Sequence, residues 1–331
     1  MSDLLNRLGI GFRDFRPDDI PALVEITNRT FPDEPTTVAQ EEHWQKTYPS
    51  ANPRLRIAVE GDGRFVGLGT CEKPYWAHAP GIYALDIVVA PEWRRRGIGR
   101  ALLAKLEPYA RAQGAELLHS HCREDFTGTI RFLQHAGYTG IGIRFEFKLD
   151  LEQFDETPFA GAFQRVAEAG YVLTTLAAER TVQPAADRML YDLYRPIVAE
   201  VPLPGGVRIE QPFETWRANT LEGPTSNDAA IFIAKAGDAY VGMTSLELPQ
   251  EGPAITSMTG VSPEYRGKGL ALALKLLSFR FLKAHGYVET RTHNDTANPP
   301  ILRLNEKLGY ERLPGWLVWQ KSLAAAAPEC P

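Results

Sequence analysis

Two stretches of this chain have the residue types to hold a polyanion: Arg94-Arg95-Arg96-Gly97-Ile98-Gly99-Arg100 and Arg266-Gly267-Lys268-Gly269-Leu270-Ala271. Each follows an apolar run and a Pro-Glu-aromatic turn, and each precedes an amphipathic pattern of helical period. Glycine lets backbone N–H groups approach an anion with no Cβ in the way. A helix start adds unpaired N–H groups and the positive end of its dipole. Basic side chains supply further charge. The pattern reads as a phosphate cradle opening a helix, present twice. The plainer reading of each is a strand-to-helix turn with exposed basic residues.

Other residues could move protons. Asp86 interrupts the apolar run Ile82–Val89, and its counterpart in the second stretch is Met258. A carboxylate there could take a proton from an amine, directly or through water, or could simply face solvent. Glu247 and Glu251 fall at the end of a strand and in the hairpin after it, as substrate contacts or as exposed charge. His121 and His293 match in position, which favours a shared structural task. Cys122 beside His121 reads as core, because adjacency along a strand does not make a nucleophile pair. Tyr75, Trp76, His78 and Tyr83 could line an acceptor pocket or pack over a sheet edge.

These residues sit in a repeat. Gly97 and Gly269 are 172 positions apart, and the same offset aligns Val89/Val261, Arg94/Arg266, Gly114/Gly286, His121/His293 and Gly137-Tyr138/Gly309-Tyr310 without a gap. Upstream, Val66-Gly67 matches Val241-Gly242 at an offset of 175, as a change in hairpin length would give. In each copy the patterning predicts a strand, helices, three strands, a helix, a strand, a helix and a closing strand. In the first copy the strands are 55–60, 64–72, 82–89 and 116–121, the long helix is 98–113, and a last hairpin runs through 144–149. Pro196 is expected to bend or end a helix over 184–198 early. The copies span 9–150 and 171–324, joined by a connector over 151–170.

The 331 residues allow two domains with full cores. A net charge of −5 does not call for a basic nucleic-acid surface over the whole chain, and the basic loops are local exceptions suited to one polyanionic ligand rather than a duplex. Three cysteines without paired spacing fit a reducing, cytoplasmic setting. The N-terminus lacks the apolar core of a leader, and no run of about 18 apolar residues exists to span a membrane.

The doubled strand–Pro-Glu-aromatic–Arg-x-x-Gly-x-(Gly/Ala)–helix motif, with Gly-Tyr closing the next helix, resembles the GNAT superfamily of acetyl-CoA-dependent N-acyltransferases. The tandem form is similar to mycothiol-synthase-like two-domain acetyltransferases. The resemblance covers nearly all of the chain outside the connector. It implies an α/β fold of two tandem GNAT-type domains, each a mixed, mostly antiparallel sheet flanked by helices. It also implies acetyl-CoA as co-substrate, with no metal. Pyrophosphate would lie on the loops 94–100 and 266–271. The pantetheine arm would lie along Ile87-Val88-Val89 and Thr259-Gly260-Val261, where an amide also meets the thioester oxygen. A strand bulge would splay this strand from the next. Asn294 and Asn298 would contact pantetheine amides or cap the helix at Pro299. The family's common Tyr acid falls on Leu133 and Asn305, so neither copy carries it.

The resulting expectation is acetyl transfer from acetyl-CoA to a primary amine by direct attack in a ternary complex, with Asp86, Glu247 and Glu251 as candidate catalytic groups. The acceptor would be a small-molecule or peptide amine, with no nucleic acid or membrane partner, and the protein a monomer or homodimer. The competing expectation is a non-catalytic acyl-CoA-binding module in one or both halves.

Overall fold

The computed structural model describes Leu5 and residues 8–323; Ala324, Cys330 and the rest of the tail lie outside the described residues. The chain divides into two compact units. The first comprises residues up to Ile143, Pro204–Val207 and the stretch from Trp316; the second comprises Arg144–Leu203 and Arg208–Gly315.

The first unit contains β1 (Ile10–Asp14), α1 (Ile20–Thr30), α2 (Val38–Thr47), β2 (Arg54–Gly61), β3 (Arg64–Glu72) and the two-residue β4 (Ala77–His78). It continues with β5 (Ile82–Val89), α3 (Ile98–Ala112), β6 (Leu117–Arg123) and α4 (Thr127–His135). α2 starts where the sequence has a capping box: Thr37 accepts from the Gln40 amide and Gln40 returns the bond. α3 presents Ile98, Ala101, Leu102, Leu106 and Ala110 to the sheet, at helical spacing, and all are buried. Leu102 and Leu106 are fully buried, each contributing roughly 1.5–3 kcal/mol of transfer free energy. They pack directly onto Gly69 of β3, where an added Cβ would stand 2.9 Å from Leu102 Cδ2.

The second unit repeats the plan. β7 (Thr139–Asp150) enters it at Arg144, followed by α5 (Ala162–Glu168), β8 (Tyr171–Thr175), α6 (Leu176–Val182), α7 (Ala186–Ala199), the short β9 (Arg208–Ile209) and α8 (Phe213–Thr220). Then come β10 (Ile231–Ala236), β11 (Ala239–Glu247), β12 (Ala254–Val261), α9 (Leu270–Ala284), β13 (Glu289–Asp295), α10 (Pro299–Lys307) and the start of β14 (Glu311–Ser322). Residues 151–170, a connector by sequence, are part of this unit's core through Leu151, Phe159, Ala162 and Val166. Pro196 does not end α7 early: it sits in the last turn, where its missing N–H forfeits one bond, and the helix runs on to Ala199.

In both units the sheet order puts one parallel strand pair among antiparallel ones. The first unit runs β1-β2-β3-β5-β6-β14 and the second β7-β13-β12-β11-β10-β8. The closing strands are where the structure departs from the simple repeat. Arg144–Asp150 does not form a hairpin in its own copy but pairs antiparallel with β13 of the second unit. Trp316–Ser322 pairs with β6 of the first. Trp319 is buried in the first unit's core, donating its indole N–H to Cys122 Sγ at 3.2 Å, and Lys321 reaches Glu107 at 2.5 Å. Each sheet is thus completed by the last strand of the other sequence copy. No described helix is long and apolar enough to cross a membrane.

Candidate active site

The loop after β5 turns sharply into the helix that follows it. Gly97 caps α3 at φ +87°, and Arg95 two residues earlier is also left-handed at φ +64°. Positive φ at alternate residues curls a loop tightly, as in turns whose N–H groups face one concavity. The second unit has the same alternation at Gly267 (φ +76°) and Gly269 (φ +78°), ahead of α9. Gly267 is the counterpart of Arg95, so the first copy holds an arginine in a conformation that the second gives to glycine. Gly99 is not left-handed, which is why Ala271 can replace it without strain. Ile98 and Leu270 are buried and anchor the helix starts; Arg95, Arg96, Arg100 and Lys268 are exposed around them.

The first arginine of each loop does not wait for a ligand. Arg94 donates from Nε to the Val89 carbonyl at 2.9 Å and from Nη2 to Thr30 at 3.0 Å. Arg266 donates to the Val261 carbonyl at 3.0 Å and pairs with Glu200 at 2.7 Å. Both tie the loop to the end of the strand before it. Arg96 lies over the Trp93 ring at 4.5 Å and donates to the Glu92 carbonyl.

Next to each loop the parallel strands part. β5 pairs with β6 only over Ile82–Ala84, leaving Leu85 to Val89 without a neighbour on that side. β12 pairs with β13 only at Ala254 and Ile255. The predicted pantetheine segments Ile87–Val89 and Thr259–Val261 therefore lie on opened edges, where main-chain groups can bond an extended ligand. The expected bulge is present only in the second unit, between Ser245 and Leu246 of β11, which leaves Ser257 without a partner. β3 and β5 pair in unbroken register, so the first splay needs no bulge there.

The two units differ on the face of the sheet that bears Asp86. In the first, a cavity of about 300 Å³ is lined by Glu41, Trp44, Gln45, Tyr48, Arg54, Arg56, Thr70, Glu72, Tyr75, Trp76 and Asp86. Sheet register explains the grouping. Arg56, Thr70 and Asp86 are successive cross-strand neighbours on β2, β3 and β5, and Arg54 and Glu72 form the adjoining row. Solvent reaches Asp86 through the mouth of the cavity, but protein surrounds it otherwise, and that desolvation pushes its carboxyl up to about 6. Burial and then the charge of Asp86 push Glu72 up to about 7, against the pull of Arg54 and Arg56. Both carboxyls thus titrate where a general base operates.

In the second unit Met258 takes the place of Asp86 and packs against a buried cluster that includes Leu190, Ile197, Trp216 and Met243. Ile197 reaches so far that a Cβ on Gly260 would stand 2.1 Å from its Cγ2. Glu247 is exposed at the end of β11, with its carboxyl raised by burial against a hydrogen bond from Ser257. Glu251 is exposed in the following turn.

Asn294 and Asn298 have different surroundings. Asn294 on β13 accepts from Asn305 Nδ2 at 2.7 Å, while Asn298 stands at the N-cap of α10 with no side-chain cap bond. Asn305, at the family's Tyr position, is fully buried and accepts from Lys275 Nζ at 2.9 Å; Leu133 is core. His121 is exposed on β6, and His293 is held neutral, its value pushed down to about 4 by burial and by Arg144 and Arg291. Cys122 is buried, as expected. Tyr75 and Trp76 line the cavity, but Tyr83 is core, donating to the Gln113 carbonyl, and His78 is not among the lining residues. Glu72, Arg54 and Arg56 went unnoticed in the sequence. The offset of 175 that matches Val66 to Val241 also matches Glu72 to Glu247, and that signal could have found it.

Similarity to known proteins agrees with the geometry. The model of the Acetyltransferase (GNAT) family matches residues 20–138 and again 189–310. A mycothiol acetyltransferase of Geodermatophilus obscurus is 26% identical over 283 residues, covering 82% of this chain and 83% of that protein. One from Thermomonospora curvata is 25% identical over 268 residues, covering 80% and 82%. A tandem GNAT protein from the clavulanic acid biosynthesis pathway shares the fold, with a TM-score of 0.70 at 20% identity over 96% of this chain and 100% of that one. A GCN5-related N-acetyltransferase from Sphaerobacter thermophilus does so with a TM-score of 0.66 at 19% identity, over 95% of each chain. With the family matched twice, and a left-handed glycine at the helix start and a parted strand pair in each match, the chain is a tandem member of the acetyltransferase (GNAT) family, an acyltransferase enzyme.

Proposed function

We propose that the first unit transfers an acetyl group from acetyl-CoA to a primary amine by direct attack, and that the second unit binds acyl-CoA without turnover. The observation that carries the reading is the cavity holding Asp86 and Glu72 beside the opened edge of β5. Its counterpart surface in the second unit is occupied by Met258, Ile197 and their neighbours. The curated relatives named as mycothiol acetyltransferases support an acceptor that is a small molecule.

The residues of the first unit fit acetyl-CoA. The left-handed Arg95 and Gly97 give the loop a concave row of N–H groups for the pyrophosphate. Leu85 to Val89 give main-chain partners for the pantetheine amides. When bound, acetyl-CoA supplies the thioester. Asp86 then takes the ammonium proton of the acceptor, with Glu72 holding the second position of the pair. The freed amine attacks within a bound complex, which spares it the entropy of a second encounter. A backbone N–H from Ile87 to Val89 meets the charge developing on the thioester oxygen. A thiol value near 8.5 makes the thiolate a tolerable leaving group, so a core Leu133 in place of a phenol is no obstacle.

The test is acetyl-CoA-dependent thiol release with a panel of amines, alongside calorimetry. Gly269→Glu is expected to remove one equivalent of acetyl-CoA binding and keep turnover, whereas Gly97→Glu removes turnover. Turnover lost with Gly269→Glu and kept with Gly97→Glu would reverse the assignment of the two units.

A further inference from the structure

The cavity of the first unit is lined by charges of both signs. Arg54 and Arg56 both donate to Gln45 Oε1, at 2.9 and 2.7 Å, so two guanidinium groups meet on one amide oxygen. Arg56 is neutralised by Glu41 at 2.8 Å, and its stem and charge lie over the Phe15 ring. Arg54 has no carboxylate at ion-pair distance among the described residues; its guanidinium lies 4.1 Å from the centre of the Tyr48 ring. Arg54 is therefore a cation without a close counter-ion, its nearest carboxyl on the sheet being its cross-strand neighbour Glu72, which it attracts through space. Among the described residues neither Glu72 nor Asp86, at the floor of the cavity, has a side-chain hydrogen bond or a close ion-pair partner; Arg54 and Arg56 act on Glu72 only through space. At the rim, Trp44 and Trp76 are 47% and 39% exposed, which is unusual for side chains of that size.

We propose that the acceptor is a zwitterionic amine of the amino-acid class with an apolar side chain: its ammonium group meets Asp86 and Glu72, its carboxylate meets Arg54, and its side chain lies against Trp44 and Trp76. The inference rests on the first unit being the site of transfer. A guanidinium is the side chain best shaped to grip a carboxylate. The aromatic rim offers apolar area to a side chain at low entropic cost. The cavity, about 300 Å³, is at the small end of ligand sites and suits a single small molecule. A polyamine would satisfy the floor but bring a second cation against Arg54, and that like-charge contact selects against it.

The decisive comparison is between apolar amino acids, the same amino acids as carboxamides, and spermidine, using the full chain and acetyl-CoA. An amide is the more easily deprotonated amine, so intrinsic reactivity favours it, and any preference for the acid must come from the site. The acids are expected to exceed their amides in kcat/KM by about tenfold or more, mainly through KM. Arg54→Gln should bring that ratio close to one by raising KM for the acids, and Arg54→Lys should restore part of it. Amides or spermidine turned over as well as the acids by the unaltered protein would overturn the inference and leave the functional reading standing. Absence of turnover with every amine would remove both.

Discussion

Replacing Asp86 with Asn keeps the shape of the side chain and removes the proton acceptor, and it should move turnover and stability in opposite directions. Desolvation holds the Asp86 carboxyl at about 6 instead of the ordinary 3.8. Keeping that proton bound more tightly in the fold is worth about 3 kcal/mol in full. Solvent reaches Asp86, and screening there cuts the usable figure to about 1 kcal/mol. A carboxyl whose folded value lies above its unfolded value binds its proton more tightly in the folded protein. Its cost to stability is absent below about pH 4, grows as pH rises, and is complete above about pH 6. Asp86→Asn should therefore raise the unfolding midpoint by about 2–4 °C at pH 8 and leave it almost unchanged near pH 4. Loss of the base should lower turnover by about 10²–10⁴, nearer the lower end if Glu72 substitutes. Thermal unfolding at the two pH values and steady-state thiol release measure the pair of effects. A variant that keeps turnover within about threefold of the parent, or that melts lower at pH 8, refutes Asp86 as a desolvated base.

The pH dependence of the parent enzyme is a second test: kcat/KM should climb as Asp86 and Glu72 lose protons around 6 and 7, the pair titrating in two overlapping steps, and a flat profile from pH 5.5 to 8 would contradict this. Arg95→Gly relieves a left-handed arginine and should stabilise the first unit by about 0.5 kcal/mol in urea unfolding, the relief exceeding the entropy added to the unfolded chain. Gly97→Ala, forced into the same region at φ +87°, should destabilise by about 1 kcal/mol and weaken acetyl-CoA binding by calorimetry. Burial pulls the Lys275 amine down to about 7, so stability should rise as pH goes from 7 toward the unfolded value of 10.5; Lys275→Met should abolish that rise in urea titrations at pH 7 and 9.

Local signals carried most of what could be read without coordinates. The strands flanking each loop, the long helices α3 and α9 and the glycines ending them are encoded within a few residues of where they act, so periodicity and turn chemistry expose them. Asp86 was visible for the same reason, as a charge in an apolar run. α8 with its buried Trp216 was missed because Phe213-Glu-Thr-Trp-Arg has a weak helical pattern, and packing against Tyr191 and Tyr194 decides it. Glu72, Arg54 and Arg56 were missed because each looks like surface charge at the end of a strand. Only the register of β2, β3 and β5 puts them on one face with Asp86.

By itself the sequence determined the duplication, the two glycine-led helix starts and the strands that precede them, because glycine placement and helix starts are local chemistry repeated at a fixed offset. Tertiary structure alone decided which strands complete each sheet, since Arg144–Asp150 and Trp316–Ser322 are alike in pattern and differ only in what they meet. It also decided that the surroundings of the two loops are unequal. Asp86 and Met258 occupy equivalent positions, but one lines a cavity with a second carboxyl at its floor and the other is packed under Ile197, and such neighbours come from distant parts of the chain.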